Sequence, residues 1–174
     1  NPMLKVVGFT ATPFRLDSGS LIEGDGRMFH DIAYELPVLD CIEDGYLCEV
    51  ISKATETTLD VSGVGTRGGE FIPGQLEEAV NVEAITRAAV NEIIERGQDR
   101  GSWLLFAAGV KHAESVRNIV RECGFSAEMI NGETPKLERS QIINDFRRGN
   151  IRCITNVNVL TTGFDAPGVD LLGM

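Results

Sequence analysis

From residue 82 onward the apolar positions fall into a repeating order. Val82, Ile85, Ala89 and Ile93 lie at helical spacing with Gly97 just beyond, which predicts a helix and its stop. Trp103 to Ala107 (WLLFA) is a continuous apolar run of strand length. Val110, Ala113, Val116, Val120 and Cys123 mark the next helix, and Phe125 to Ile130 the next strand. Pro135 to Arg147 is a further helix with Leu137, Ile142, Ile143 and Phe146 inward, and Ile151 to Thr155 and Val169 to Gly173 read as strands. Strands that are apolar throughout, alternating with helices, predict an α/β fold: a parallel sheet covered on both faces.

The earlier part is less regular. MLKVVGF, Met3 to Phe9, predicts a buried strand ended by the turn at Thr12 and Pro13. Phe14 to Asp31 is polar, glycine-bearing and without period, as a linker or mobile loop would be. A small helix is predicted over Pro37 to Asp44, with Pro37 at its first position, Val38 and Ile42 on one face, and Gly45 as the stop. LCEVISKA, Leu47 to Ala54, and TTLDVSGV, Thr57 to Val64, are strand candidates.

Composition narrows the class. At 174 residues and 43% hydrophobic, the chain has enough apolar side chains for one sizeable core and reads as one soluble globular unit. No apolar run approaches the roughly 20 residues of a membrane span, and the start lacks the layout of a signal peptide. Asn1 opens almost directly on an apolar run, and Met174 follows Leu171, Leu172 and Gly173 in the middle of another, so the sequence reads as a piece of a longer protein. Cys41, Cys48, Cys123 and Cys153 form no CxxC pair, so reduced thiols in a cytoplasmic protein are the reading, without a zinc site or disulfide framework. Cys123 and Cys153 fall in apolar periodic segments, where cysteine acts as a small hydrophobe.

The net charge of −10 argues against a broadly basic nucleic-acid surface. Its distribution changes the picture, because residues 1–100 carry 18 acids and 8 bases whereas residues 101–174 carry 8 of each. A polyanion would meet the second part, through a local track.

In a parallel sheet the loops leaving the carboxyl ends of the strands form the ligand crevice. Four loops qualify: Thr10 to Pro13, Ala108 to His112, Asn131 to Pro135, and Asn156 to Pro167. Three carry hydroxyl side chains, which suits an anion such as phosphate.

Each motif has a plain reading beside the functional one. Gly63-Val-Gly65-Thr-Arg-Gly68 fits GxGxxG, but its last glycine does not open a helix, so a flexible loop is the reading over a dinucleotide site. No GxxxxGK[ST] phosphate loop is present. Thr10-Ala11-Thr12-Pro13 alone is an ordinary turn. Thr134 reads as an N-cap with Pro135 at the first helical position. His112 and His30 are, taken singly, surface or capping residues. In Gly163-Phe-Asp165-Ala-Pro167 the glycine lets backbone approach a ligand and the aspartate can accept two hydroxyls such as those of a ribose, with an Asx turn as the alternative.

The order of GFTATPFRLD, WLLFAAGVKHAESV, NGETPKLERSQIINDFRRGN and CITNVNVLTTGFDAPGVDLL resembles the back half of superfamily 2 DEAD/DEAH helicases. The first stretch is similar to motif III, the second to motif IV and the last to motif V. More narrowly, GFTATPFRLD, the Tyr34 to Leu47 segment and VLTTGFDAP resemble bacterial RadD-type helicase-like proteins and the helicase subunits of type I and III restriction systems. The likeness is weakest over residues 52–80.

The resemblance implies a RecA-like (P-loop NTPase type) sheet. It assigns residues 1–14 to the last strand and motif III of a first RecA-like domain, 15–30 to a linker, and 31–174 to an incomplete second domain. It implies ATP and Mg2+ as cofactors of the full-length protein, and nucleic acid, DNA above RNA, and the N-terminal RecA-like domain as partners, with no membrane. Thr10, Ala11 and Thr12 would couple hydrolysis to movement, and Gly163 and Asp165 would face the nucleotide. His112, Gly132, Thr134, Thr155, Asn156 and Thr161 would face the nucleic-acid backbone, and no residue is assigned to a metal. The Walker and DExH motifs would precede Asn1 and the arginine fingers would follow Met174, so this piece alone is expected not to hydrolyse ATP. The competing expectation is a non-enzymatic RecA-like module. Where relatives often have Ser or Thr after the motif IV strand, this chain has Gly109, a loss of about 1 kcal/mol unless Lys111 or His112 takes over.

Overall fold

A computed structural model describes residues 5–15, 19–55, 59–161 and 164–174. The chain divides into two compact units, Asn1–Lys53 and Ala54–Met174.

In the first unit, β1 (Phe14–Arg15) and β2 (Gly19–Ser20) pair as a short antiparallel hairpin. Helix α1 (Val38–Glu43) follows Pro37, whose ψ of 145° keeps it extended as the N-cap, one position before the expected one. Gly45 ends the helix at φ +77°, a left-handed turn that a Cβ would strain. The strand expected over Met3–Phe9 is absent in its described part, and so is the one over Leu47–Ala54. Val6, Val7, Phe9, Val50 and Ile51 are exposed. A β-prone run becomes a strand only when another strand takes up its backbone groups, and among the described residues none does so.

In the second unit, residues 59–64, the described part of the strand expected over Thr57–Val64, form no strand but hold a turn in which Val64 N donates to Val61 O. The glycine-rich stretch then does more than the loop expected of it. Strands β3 (Thr66–Arg67) and β4 (Glu70–Phe71) form a tight hairpin whose two turn residues, Gly68 and Gly69, sit at φ +63° and +86°. Such a turn matches the twist of its strands and admits glycine most cheaply. Pro73 then opens helix α2 (Pro73–Val80).

The remainder follows the periodic reading: α3 (Glu83–Arg96), β5 (Trp103–Phe106), α4 (Val110–Glu122), β6 (Ala127–Ile130), α5 (Lys136–Arg147), β7 (Cys153–Asn156) and β8 (Leu171–Gly173). The last four strands form one sheet in the order β6-β7-β5-β8, and every pairing is parallel. Trp103 and Leu105 point to one face, where Val90 of α3 and Val116, Ile119 and Val120 of α4 pack on them. Leu104 points to the other, against Ile142 and Phe146 of α5 and Leu160 of the segment that returns to β8. This is the α/β, RecA-like arrangement with helices on both faces.

Some core assignments shift. Leu137 is 84% exposed, Val82 and Val110 are also exposed, and Cys123 lies at the surface. Cys153 is fully buried in the sheet, and burial pushes its thiol up to about 12. Among the described residues no helix is long and apolar enough to cross a membrane.

Candidate nucleic-acid interface

Register brings the strand ends together. Asn156 lies between Phe106 and Ile130 at the last paired row, so the chain leaves β5, β6 and β7 on one edge. Backbone bonds stitch the exits: Ala107 N donates to Asn156 O at 2.9 Å and Val157 N to Ile130 O at 3.3 Å. Corners that are distant in sequence share one rim.

At the β6 to α5 corner, Asn131 is 8% exposed and organises the loop. Its Oδ1 accepts from Glu133 N at 2.9 Å, Thr134 N at 3.0 Å and Thr134 Oγ1 at 3.1 Å. Its own N–H donates to Thr134 Oγ1 at 2.9 Å. The Arg139 guanidinium reaches back to Asn131 O at 3.0 Å and Thr134 O at 3.3 Å. The expected N-cap role of Thr134 therefore moves: Pro135, with ψ 144°, is the N-cap, and no side chain bonds to the helix from that position. Thr134 is held by its own loop, while Gly132 and Lys136 are exposed on it.

At the β5 to α4 corner, Gly109 is the N-cap in fully extended backbone. The amide of His112 donates to Glu77 Oε1 of α2 at 3.1 Å. A methyl at Gly109 would overlap the Glu77 carboxylate. His112 Nδ1 accepts from Ala108 N at 3.3 Å, which places the proton of a neutral ring on Nε2. Burial holds the imidazole below its ordinary value, against a smaller upward pull from Glu77. His112 thus folds the corner as a neutral ring, and Lys111 is the exposed cation beside it.

The β7 exit corrects two expectations. Thr155 and Asn156 are both 0% exposed. The Thr155 hydroxyl donates to Ala113 O at 3.1 Å, and Asn156 Nδ2 donates to Leu105 O at 3.1 Å while its Oδ1 accepts from Leu160 N at 3.4 Å. Their polar atoms lie inside the molecule because a buried side chain at a strand end must satisfy itself locally. They shape the rim and do not face a polyanion. Thr161 is exposed, and Asn158 turns the loop at φ +51°.

Gly163 lies outside the described residues. Asp165 is exposed, and its carbonyl accepts from the guanidinium of Arg147, the last residue of α5. Twelve residues of helix, about 18 Å, separate that end of α5 from the Thr134 corner, so Asp165 belongs to the returning segment and not to the same corner. In the other unit, Thr10 Oγ1 accepts from Thr12 N at 3.1 Å and donates to Thr12 O at 3.0 Å, an exposed turn that carries Ala11.

Sequence reading missed Lys136 and Arg139 as rim residues, although both stand in the first turns of a helix that begins at a strand exit. It also missed Glu77, for which no local signal existed.

The sheet, its two covered faces and a rim of helix entrances define a RecA-like domain. The chain belongs to the helicase conserved C-terminal domain family, whose profile matches residues 85–174. It is 26% identical over 171 residues to a Saccharomyces cerevisiae protein named as the ATP-dependent helicase IRC3, covering 97% of this chain and 24% of that protein. It is 33% identical over 175 residues to the Schizosaccharomyces pombe protein named as the mitochondrial ATP-dependent helicase irc3, covering 97% and 27%. The C-terminal domain of Saccharomyces cerevisiae Dbp5 is similar in structure, with 28% identity and a TM-score of 0.46 over 52% of this chain and 50% of that one. The chain spans about a quarter of the length of the two IRC3 proteins.

Proposed function

We propose that this chain is the C-terminal motor domain of an ATP-dependent helicase or translocase, and that its rim grips the backbone of a DNA strand. One observation carries the reading. Three loops distant in sequence leave one edge of the sheet side by side, inside the part of the chain that matches the helicase family. Helix entrances on such an edge suit phosphate, because their amides and dipole favour an anion. Gly132, Lys111, Lys136 and Thr161 are exposed there, with Glu133 and Asn158 beside them, and contacts from the first four hold a backbone without reading bases.

The names of the IRC3 relatives support ATP dependence. Asp165 fits a nucleotide, since its carboxylate is exposed and its backbone is pinned by Arg147, leaving two oxygens for ribose hydroxyls. ATP would supply the driving reaction, and this chain's part is to hold the sugar. Mg2+ would accompany ATP in the full-length protein, and among the described residues of this chain no group of three or more His, Cys, Asp or Glu could hold a metal ion. Thr10 to Thr12 are the coupling segment in this reading, residues 15–30 the linker and residues 31–174 the second domain. DNA is preferred to RNA, and repair or restriction as the setting in the cytoplasm, on the likeness to RadD-type and restriction proteins alone. The 174-residue chain by itself is inactive as an ATPase in this reading.

The test is ATP hydrolysis by the full-length parent with and without single-stranded DNA. Stimulation by DNA that drops in Asp165→Ala, with folding intact, supports the motor. A parent that binds nucleic acid with no turnover is the non-enzymatic module instead, and an unchanged rate in Asp165→Ala removes that residue from the nucleotide site.

A further inference from the structure

The corner that follows β5 already holds an anion, and the anion is part of the protein. The Glu77 carboxylate receives the His112 amide and fills the space above Gly109. It is brought there by a small body: Gln75 Oε1 accepts from Gly65 N at 2.8 Å and Ile72 N donates to Gly65 O at 2.9 Å, so the β3–β4 hairpin and α2 are bonded together. That body, residues 65–80, precedes the segment that matches the helicase family. The other helix entrance on the rim is closed by its own loop, and among the described residues it has no such visitor.

We propose that residues 65–80 form an autoinhibitory plug, in which Glu77 occupies the phosphate seat at the start of α4 and a nucleic-acid strand engages that corner only when α2 withdraws. The inference rests on the reading of the rim as a backbone-binding surface. A phosphate and the Glu77 carboxylate compete for the same amides and the same space over a residue without a side chain, and two anions are not held there together. Glycine at 109 is what allows the carboxylate to come so close, which gives the missing motif IV hydroxyl a reason. The contact at the rim is one amide, whereas the far end of α2 is anchored by buried Val80 and by the Thr86 hydroxyl, which donates to Val80 O at 3.4 Å, so withdrawal is a swing of the Glu77 side away from the corner with the Val80 end kept in place.

The experiment measures binding of fluorescein-labelled oligothymidylate to the intact protein by anisotropy across a salt series. Glu77→Gln is expected to bind about five- to tenfold more tightly, the equivalent of one added phosphate contact, with a salt slope steeper by about one. Glu77→Ala removes the charge and also empties the space over Gly109, so it is expected to tighten binding at least as much. Glu78→Gln, one position along the same exposed helix, removes the same charge without touching the corner and is expected to stay within about twofold of wild type. Equal tightening by Glu77→Gln and Glu78→Gln, or no tightening in Glu77→Gln, overturns the plug. Lys136→Ala tests the underlying reading separately: if it weakens wild-type binding while Glu77→Gln changes nothing, the plug alone fails. If no form binds at all, both fail. Thermal unfolding of each variant accompanies the titrations, and Glu77→Ala stands in should Glu77→Gln not fold.

Discussion

Helices α4 and α5 both begin on the carboxyl edge of the sheet, and at neither does the N-cap residue offer a side-chain acceptor. They meet the same need in opposite ways. The α5 corner is closed from within, by Asn131 and Thr134 a few residues before the helix. The α4 corner takes its acceptor from Glu77, 35 residues earlier in the chain. A local cap forms with its loop and stays with it, whereas a borrowed cap depends on where another helix sits. The difference makes the first corner a fixed feature of the domain and the second an adjustable one.

The comparison is broken most severely at Asn156, which stands between the two corners. Asn156→Ala leaves Leu105 O and Leu160 N without their partner inside the molecule and is expected to cost about 2–4 kcal/mol, measured by urea unfolding. Thr155 belongs to the same buried pair, so loss of nucleic-acid affinity in Thr155→Ala would accompany loss of stability. Next, Asn131→Ala dismantles only the α5 corner. An unfolding free energy lower by about 1–3 kcal/mol is expected, with the His112 NMR signals unmoved. Glu77→Ala dismantles only the α4 corner, and here the expected loss is about 0.5–1 kcal/mol, with a clear shift of the His112 amide. If Glu77→Ala proved the costlier of the two, the distinction between fixed and borrowed caps would be wrong.

The smallest effect is a pH dependence that sharpens the contrast. Burial lowers the folded pKa of His112 from its ordinary 6.5, so below about that pH the unfolded chain binds the proton more readily than the folded one. Stability from this group is complete above 6.5 and falls as pH drops from there through the lower folded value. Melting temperature followed over that window should fall more steeply for wild type than for His112→Asn. Asn131→Ala should keep the wild-type slope, since the α5 corner contains no histidine.

The fold from α3 to β8 was legible because an apolar run at strand length and an apolar stripe at helical spacing are local facts. The failures each have a physical cause. A strand of four residues is about 13 Å long and a helix of twelve about 18 Å, so the first turns of the helices overhang the sheet. Val110 sits on that overhang and remains exposed, although its spacing matches its buried neighbours; Leu137 stands five and nine residues before Ile142 and Phe146, about 140° and 180° round the helix, and faces away from the core. The runs at Val6–Phe9 and Leu47–Ile51 have β-prone sequence without a strand to pair with. In the site, the strand-exit loops and Lys111 could be read from the sequence. The burial of Thr155 and Asn156 could not, because a hydroxyl or amide beside a turn looks the same whether it faces solvent or a carbonyl from another element.

What the sequence determined by itself was the succession of elements, the parallel sheet with two apolar faces, and the order of motifs that resembles a helicase motor; each rests on residues near one another in the chain. Tertiary structure decided which polar groups remain on the rim and which are consumed in building it. Pairing of β5, β6 and β7 sets Asn156 between two neighbours, and packing of α2 delivers Glu77 to an amide it never approaches along the chain. Hydrogen-bond partners separated by tens of residues leave no periodic trace, since only the folded path brings donor and acceptor within reach.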